Sequence, residues 1–528
     1  MEIIKYKIKK NTYYDSVTLM IISKEIKKND GIKQALVGMG TDLNKELAMN
    51  LNLSSTELKE ITPNDFFVSV LADENIEIEE VMTQVYEILN HKKSSRSDDY
   101  MPRTLDSAIN YEPDSNLVLI SLPGEYAALE VKRALNNNLN VMLFSDNVTI
   151  EEEKELKDLA TSKELLMMGP DCGTAIINNV PLAFANVVRK GHIGIVGASG
   201  TGTQEVTVQI HKLGEGVSQV IGTGGRDLKK EIGGSMMLLG LDALINDPET
   251  KVILLVSKPP HPEVAEKILK VVEKANKPVV VDFIGGDKDI IKKYGAYACC
   301  SLEDAARKSV TVLQGGEVKD FNDFSQPIEV INKIVETETS KFAPEQRYFR
   351  GFFTGGTLAD EAMKLLGKYI EIYSNIPLSL EFKLKDAKIS YKNTCIDFGD
   401  DEFTVGKPHP MIDPVARVER LLQDAQDDEM AVVLMDFVLG YGSHKDPVGE
   451  MLPSIIEAKK TMMERGKYLS IIGYVCGTDK DPQGFTQSKK RLEEAGVIVM
   501  PSNAQAVKIT GLILNNISTR SDFNEQGK

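Results

Sequence analysis

The stretch GIVGASGTGTQEV, residues 194–206, runs a short apolar strand into a loop of Gly, Ala, Ser and Thr, with helical sequence directly after it. Ser199, Gly200, Thr201, Gly202 and Thr203 combine close backbone approach, hydroxyl groups and the unpaired N–H groups of a helix start. That chemistry suits an anion, most simply phosphate. Gly355, Gly356 and Thr357, in FFTGGTLADE, repeat the arrangement. No lysine follows in the G-K-[ST] manner and the spacing is not G-x-G-x-x-G, so neither loop is a P-loop or a dinucleotide fingerprint. For one such loop, a tight turn needing glycine for geometry alone competes evenly. Two matched loops facing one cleft favour the anion.

A second group follows in GTGGRDL: Thr223, Gly224, Gly225, Arg226 and Asp227. Arg226 is placed to pair with a carboxylate or phosphate; a surface Arg–Asp pair is the plainer alternative. The counterpart segment IDFGDDEF carries Asp397, Asp400 and Asp401, which could hold an amino group or a cation, with capping of the next element favoured. His261 in KPPHPE and His444 in GYGSHKDP each follow a corresponding strand, and His409 in GKPHPM is a third candidate proton carrier. An ordinary loop histidine is the competing reading for each. No G-x-S-x-G or H-E-x-x-H occurs. Cys172, Cys299, Cys300, Cys395 and Cys476 show no metal-ligand spacing and read as reduced thiols, so no metal is expected.

These loops need strands and helices to hold them. Residues 1–92 read as a small α+β unit of ferredoxin-like or ACT-like type, with 93–113 as a polar linker. From 114 the pattern becomes regular β/α, in which NLVLISLP and NVMLFSD are apolar strands between amphipathic helices. Such alternation predicts doubly wound α/β with parallel sheets covered on both faces. An internal repeat follows. HIGIVG, its loop and helix, SQVIGTGGRDL and KVILLVSK match RGFFTG, its loop and helix, NTCIDFGDDEF and MAVVLMDF in order and loop chemistry. Residues 376–392 are extra in the second copy. The expected division is 114–190, 191–315, a linker over 316–346, a second copy over 347–516 and a polar, frayed tail over 517–528. In doubly wound sheets ligands sit at the carboxyl ends of strands, where these candidates fall.

The chain has 528 residues, 42% of them hydrophobic and 27% charged, and a net charge of −16. That balance argues against a protein that coats nucleic acid or an acidic membrane surface. No apolar run approaches the roughly 20 residues needed to span a bilayer, and the basic N-terminus lacks the apolar core of a secretory signal. A cytoplasmic enzyme or enzyme subunit is expected.

NLVLISLPGEYAALEVKRAL, LLMMGPDCGTAIINN and GHIGIVGASGTGTQEVTVQI resemble the second half of the CoA-binding domain and the first ligase domain of a succinyl-CoA synthetase α subunit. The segment from Arg347 to about Ser502 resembles the carboxy-terminal domain of the β subunit, as if both partners were fused. GPDCGTAII, VGASGTGTQEV, IGTGGRDL and SVTLM are most similar to the FdrA family. The resemblance implies a truncated CoA-binding Rossmann-like domain over 114–190, then two flavodoxin-like synthetase-type domains. It also implies a role as a subunit of oxamate carbamoyltransferase, which takes oxalurate and phosphate to oxamate and carbamoyl phosphate in anaerobic allantoin and purine breakdown. Phosphate or carbamoyl phosphate is then a substrate, partner subunits and a dimer or hetero-oligomer are expected, and no cofactor is firmly implied. The synthetases carry a phosphorylated histidine after a KPVV-type strand; here KPVVVDFIGG continues into DKDIIKKYGAYACCSL without one. An NDP-forming acyl-CoA synthetase using ATP and CoA is the second reading, and a non-catalytic ligand-binding regulator the third.

Overall fold

The computed structural model describes residues 2–12, 14, 16–91 and 102–526. The chain forms two compact units, one of Met1–Tyr111 with Thr404–Pro408, the other of Glu112–Phe403 with His409–Lys528.

In the first unit, strands β1 (Glu2–Lys9), β2 (Ile32–Met39) and β3 (Phe66–Asp73) form an antiparallel sheet ordered β1-β3-β2. The Ser16–Lys27 helix crosses from β1 to β2, leaving β3 between two parallel strands. This is the split β-α-β arrangement of a ferredoxin-like unit. Leu19, Ile22 and Ile26 project from one helical stripe onto Val68 and Val70, which explains why SVTLMIISKEIK folds as a helix there.

The second unit holds three sheets. Strands β4 (Leu117–Ile120), β5 (Asn140–Leu143) and β6 (Met167–Met168) form a short parallel sheet. The hairpin β7 (Thr174–Ile177) and β8 (Val180–Ala183) leaves that sheet and pairs instead with the next one, through β10. There β9 (Lys190–Gly197), β10 (Val217–Gly222), β11 (Val252–Ser257), β12 (Val279–Phe283) and β13 (Tyr297–Ala298) run parallel in the order β10-β9-β11-β12-β13. The third sheet contains β14 (Tyr348–Phe353), β15 (Tyr373–Ser374), β16 (Thr394–Asp397), β17 (Met430–Val438), β18 (Ser470–Cys476) and β19 (Ile498–Met500), and repeats that order as β16-β14-β17-β18-β19 with β15 outside. Both copies therefore have the second-first-third-fourth-fifth strand order of a flavodoxin-like fold. Every residue of β11, β17 and β18 is buried, as continuous apolar runs in a doubly covered parallel sheet require.

The copies share one core. Val206 and Ile210 of the Gly200–Lys212 helix cluster with Leu358 and Ala362 of the Gly356–Leu366 helix, and with Phe349 and Ile195 from the two sheets. The two repeats therefore face each other within a single chain.

Three connecting segments are more ordered than their composition suggests. The 316–346 stretch contains the Ile328–Thr339 helix, whose Ile331 and Val335, one turn apart, join the common core. In the linker read over 93–113, residues 93–101 lie outside the described residues, and Leu105–Tyr111 is helical. The 517–526 part of the expected tail continues the Asn503–Gln526 helix, with Ile517 buried, and 527–528 lie outside the described residues. Among the described residues no helix is long and apolar enough to cross a membrane.

Candidate functional site

β9 ends at Gly197 and the chain turns into the Gly200–Lys212 helix, with Ser199 in extended backbone as its N-cap. Ser199 Oγ accepts the Gly202 N–H at 3.1 Å, satisfying one of the orphan donors of the first turn. A small, shallow cleft opens at this turn, lined by Gly173, Thr174, Ser199, Gly200, Gly222 and Gly224 among others. At Gly222 and Gly224 its floor is backbone because side chains do not fit there. A Cβ on Gly222 would stand 2.4 Å from Cys172 Sγ and 2.5 Å from the Thr174 carbonyl; one on Gly224, at φ +83°, would meet the Pro170 carbonyl at 2.3 Å. Such a surface at a helix start presents N–H groups to an anion. Burial pushes the Cys172 thiol up to about 12, which leaves it a packing group.

The second repeat brings its own helix start against the first. Gly355 is the N-cap of the Gly356–Leu366 helix. The hydroxyls of Ser199 and Thr357 are hydrogen-bonded to each other. A Cβ on Gly202 would lie 2.7 Å from Thr357 Cγ2, and one on Gly355 would lie 2.4 Å from Thr201 Cγ2. The contact is reciprocal: each loop's glycine receives the other's threonine. Thr201 and Thr357 are consequently buried at the junction. Thr203 lies beneath Gly197, where its hydroxyl finds no hydrogen-bond partner. The candidates drawn together at the helix starts are thus Ser199, Gly200, Thr201, Gly202, Gly355, Gly356 and Thr357, with Thr203 behind them.

The second loop is braced from below. Asp436 on β17, fully buried, accepts the Thr354 N–H at 3.0 Å and the Thr354 hydroxyl at 2.6 Å. Arg417, also buried, pairs with Asp436 at 3.1 Å and donates to the Phe352 carbonyl at 3.0 Å. In the first repeat the matching amide, Ala198, donates to the Val256 carbonyl.

Thr223, Gly224, Gly225 and Arg226 follow β10, and Thr223 is buried, its N–H donating to the Gly197 carbonyl. Arg226 is held by Glu153 through Nε at 2.9 Å and donates from Nη2 to the Val148 carbonyl at 2.7 Å. Its side chain is 31% exposed, so the guanidinium is braced from behind and open in front. Asp227 instead accepts the Met237 N–H at 2.9 Å and pairs with the buried Lys157 at 2.9 Å, which gives it a capping role. Asp171 keeps an open face to solvent. Its pKa is nonetheless raised by the protein atoms packed around it and by the carboxylates of Asp146 and Asp401, and is drawn back by Arg226.

Lys258 and Asp397 complete the second helix start; spacing gave no reason to single out the lysine. Lys258 follows β11 of the first repeat and pairs with Asp360 at 2.9 Å, just past the first turn of the second repeat's helix. A Cβ on Gly356 would lie 3.0 Å from Lys258 Nζ and 2.7 Å from Asp397 Oδ2, so both heads flank that turn. Asp397 is the last residue of β16 and its Oδ1 accepts the Gly399 N–H at 2.8 Å. Burial pushes its pKa up to about 7, against the pull of Lys258 and of that hydrogen bond. The strand-end rule marks both positions: each stands at the carboxyl edge of its sheet.

Each candidate histidine spends its Nδ1 locally. His261 caps the Pro262–Val272 helix, accepting the Glu263 N–H at 3.4 Å. His444 Nδ1 accepts the Asp446 N–H at 3.1 Å, and its Nε2 lies 3.9 Å from Glu450. His409 Nδ1 accepts the Met411 N–H at 3.2 Å; burial lowers its pKa to about 4, so it is neutral, with Nε2 beside Gly399. Asp400 and Asp401 open the short Asp401–Thr404 helix, where the Asp400 carboxylate accepts the Glu402 N–H.

Three family models match the chain: an AllF heavy metal-associated domain over residues 1–103, a CoA binding domain over 188–285 and a CoA-ligase over 352–513. The chain is 47% identical over 97% of its length to the uncharacterized protein YahF of Escherichia coli K12, covering 98% of that protein. It is 26% identical over 35% of its length to the α subunit of an ADP-forming succinate–CoA ligase of Staphylococcus epidermidis, and spans 60% of that subunit. A dinucleotide-forming acetyl-coenzyme A synthetase of Ca. Korarchaeum cryptofilum aligns at 16% identity over 82% of this chain and 90% of its own, with a TM-score of 0.33. The name of the first domain raises a metal, but its donor set does not fit one. Residues 1–103 contain no cysteine and a single histidine, His91, which leaves methionine thioethers as the other soft donors, whereas tight soft-metal sites are built on thiolate and imidazole ligands. Among the described residues no cluster of three or more metal-ligating side chains occurs.

Proposed function

We propose, from the premise that the chain belongs to the FdrA family of fused succinyl-CoA synthetase-like proteins, that its cleft binds phosphate or carbamoyl phosphate within a carbamoyltransferase. The observation that carries this reading is the reciprocal packing of the two helix starts, Thr201 on Gly355 and Thr357 on Gly202. That packing fixes the start of the Gly200–Lys212 helix, and the cleft beside it, lined by Gly173, Thr174, Gly222 and Gly224, offers a doubly charged anion oriented N–H groups without any mobile carrier. In the reaction proposed, phosphate attacks the ureido carbon of oxalurate, yielding carbamoyl phosphate and oxamate. Backbone donors near Ser199 and Gly200 stabilise the phosphate, and Arg226, braced by Glu153, takes the substrate carboxylate. Partner subunits complete the enzyme in this proposal.

The CoA-ligase-type fold is established by the family matches, and it favours a second reading, an NDP-forming acyl-CoA synthetase. One experiment separates the two. Phosphate release from carbamoyl phosphate is followed with and without oxamate, beside a reaction holding ATP, CoA and succinate. Oxamate-dependent release is the expected result. CoA-dependent ADP formation, with no oxamate effect, would replace the carbamoyltransferase by the ligase.

A further inference from the structure

The two repeats differ at one telling position. β10 and β16 occupy equivalent places, and in both cases the last residue pairs with the end of the repeat's first strand, Gly222 with Gly197 and Asp397 with Phe353. In the first repeat that place is filled by a glycine over which no side chain fits. In the second it carries a carboxyl group, with Oδ2 against the first turn of the Gly356–Leu366 helix and only 6% of the residue exposed. The first repeat thus supplies a bare backbone surface and the second a proton-bearing group. Lys258 reaches the same turn from the first repeat and is 46% exposed, so its ammonium is available to a ligand while Asp360 steadies it.

We propose that Asp397 is the proton-transfer residue at the start of the Gly356–Leu366 helix and that Lys258 is the cation holding the ligand's negative charge beside it. The proposal rests on the carbamoyltransferase reading for its reaction, though not for its proton chemistry. As phosphate oxygen bonds to the ureido carbon, the carbon–nitrogen bond to the oxamate portion breaks. The electron pair leaves on that nitrogen, which takes the proton of the Asp397 carboxyl group. The proton that phosphate gives up on bonding to carbon returns to Asp397, so atoms and charge balance and no further reactant is needed. A carboxyl group titrating near neutrality can serve in both directions. The charged and titratable groups around it are Lys258, Asp360 and Asp400, with the neutral His409 on the same side of the Gly399 turn. The histidines compete poorly for the role: His261, His444 and His409 each hold a local backbone N–H on Nδ1, and His409 is half-buried and neutral.

The test uses the full chain and sulfate, a tetrahedral dianion with no proton of its own to exchange near neutral pH. Sulfate binding is measured calorimetrically in two buffers of different ionisation enthalpy. The wild-type protein is expected to take up protons on binding. D397N is expected to bind sulfate within about threefold of wild type with that uptake abolished, and K258M to bind about tenfold more weakly. With partner subunits present, D397N should lose about 100-fold or more in turnover, and D397E should recover part of it. Unchanged proton uptake in a folded D397N, or turnover within about threefold of wild type, overturns the assignment. If wild type binds sulfate but shows no oxamate-dependent turnover, the carbamoyltransferase reading falls and the calorimetry still decides Asp397. Absence of sulfate binding overturns both.

Discussion

Ser199 and Thr357, 158 residues apart in sequence, share a hydrogen bond between their hydroxyls at the meeting of two helix N-termini. Ser199 also accepts the Gly202 N–H, so one oxygen caps its own helix and ties it to the other. Removing the link should show energetic coupling. S199A is expected to cost about 1 kcal/mol through the lost cap alone. In a double-mutant cycle with T357V, unfolding by urea should reveal a coupling of about 1 kcal/mol. Strictly additive losses would mean that the junction is held by the glycine–threonine packing alone.

The brace under the second loop predicts a larger effect. Arg417 and Asp436 are both buried, and Asp436 also holds Thr354 by its N–H and hydroxyl. R417M leaves a carboxylate in the interior without its counter-charge, which typically costs about 3–5 kcal/mol. Urea unfolding measures it. A loss below about 1 kcal/mol would show that Asp436 takes up a proton or water at little cost, and that the loop does not depend on the pair.

Much of this architecture is legible from KVILLVS and MAVVLMDF, because a strand covered on both faces has no polar side to show. The matched loops are legible for a related reason: glycine and small hydroxyl residues at a strand end have few other uses. The Gly200–Lys212 helix is not. Its Gln204, Glu205 and Gln209 look like a solvated face, yet each is buried. Gln204 meets Asn186, Glu205 is bonded to the Tyr474 hydroxyl and Gln209 donates to the Pro501 carbonyl at 2.9 Å. Their partners lie in other segments, most of them in the second repeat, and no local periodicity reports them. Lys258 is hidden for the same reason. Asp397 reads as an acid after a strand, for which capping is the favoured role, and only its juxtaposition with Gly356 distinguishes it.

The first domain yields a prediction against its own family name. With no cysteine and one histidine in residues 1–103, it has no thiolate and too few imidazoles to hold a soft metal, and its methionines supply only weaker thioether donors. Titration with zinc or copper(I) should leave the thermal transition of the full chain unchanged, as should prior treatment with a chelator. A chelator-induced fall of several degrees would reveal a structural metal bound by ligands outside the usual set.

Asp282 makes stability depend on pH in a direction opposite to that of a surface ion pair. It stands on β12, fully enclosed, with Oδ2 lacking any hydrogen-bond partner. Burial pushes its pKa up to about 8, reinforced by the carboxylates of Glu361 and Asp304 and opposed by Lys364 and Lys308. The unfolded carboxyl group titrates near its ordinary value of 3.8. Between those two values the folded chain keeps the proton and the unfolded chain has lost it, so raising the pH favours unfolding. This group alone lowers stability by about 1.4 kcal/mol per pH unit across that window, and the loss levels off above about pH 8. D282N carries no such proton. Compared by urea unfolding, the variant should gain on wild type as pH rises from about 5 to about 8, by up to about 4 kcal/mol. The comparison cancels the other titrating groups, which both proteins share. A gap that stays constant with pH would mean that Asp282 is ionised in the folded chain, held by Lys364 or Lys308 rather than protonated.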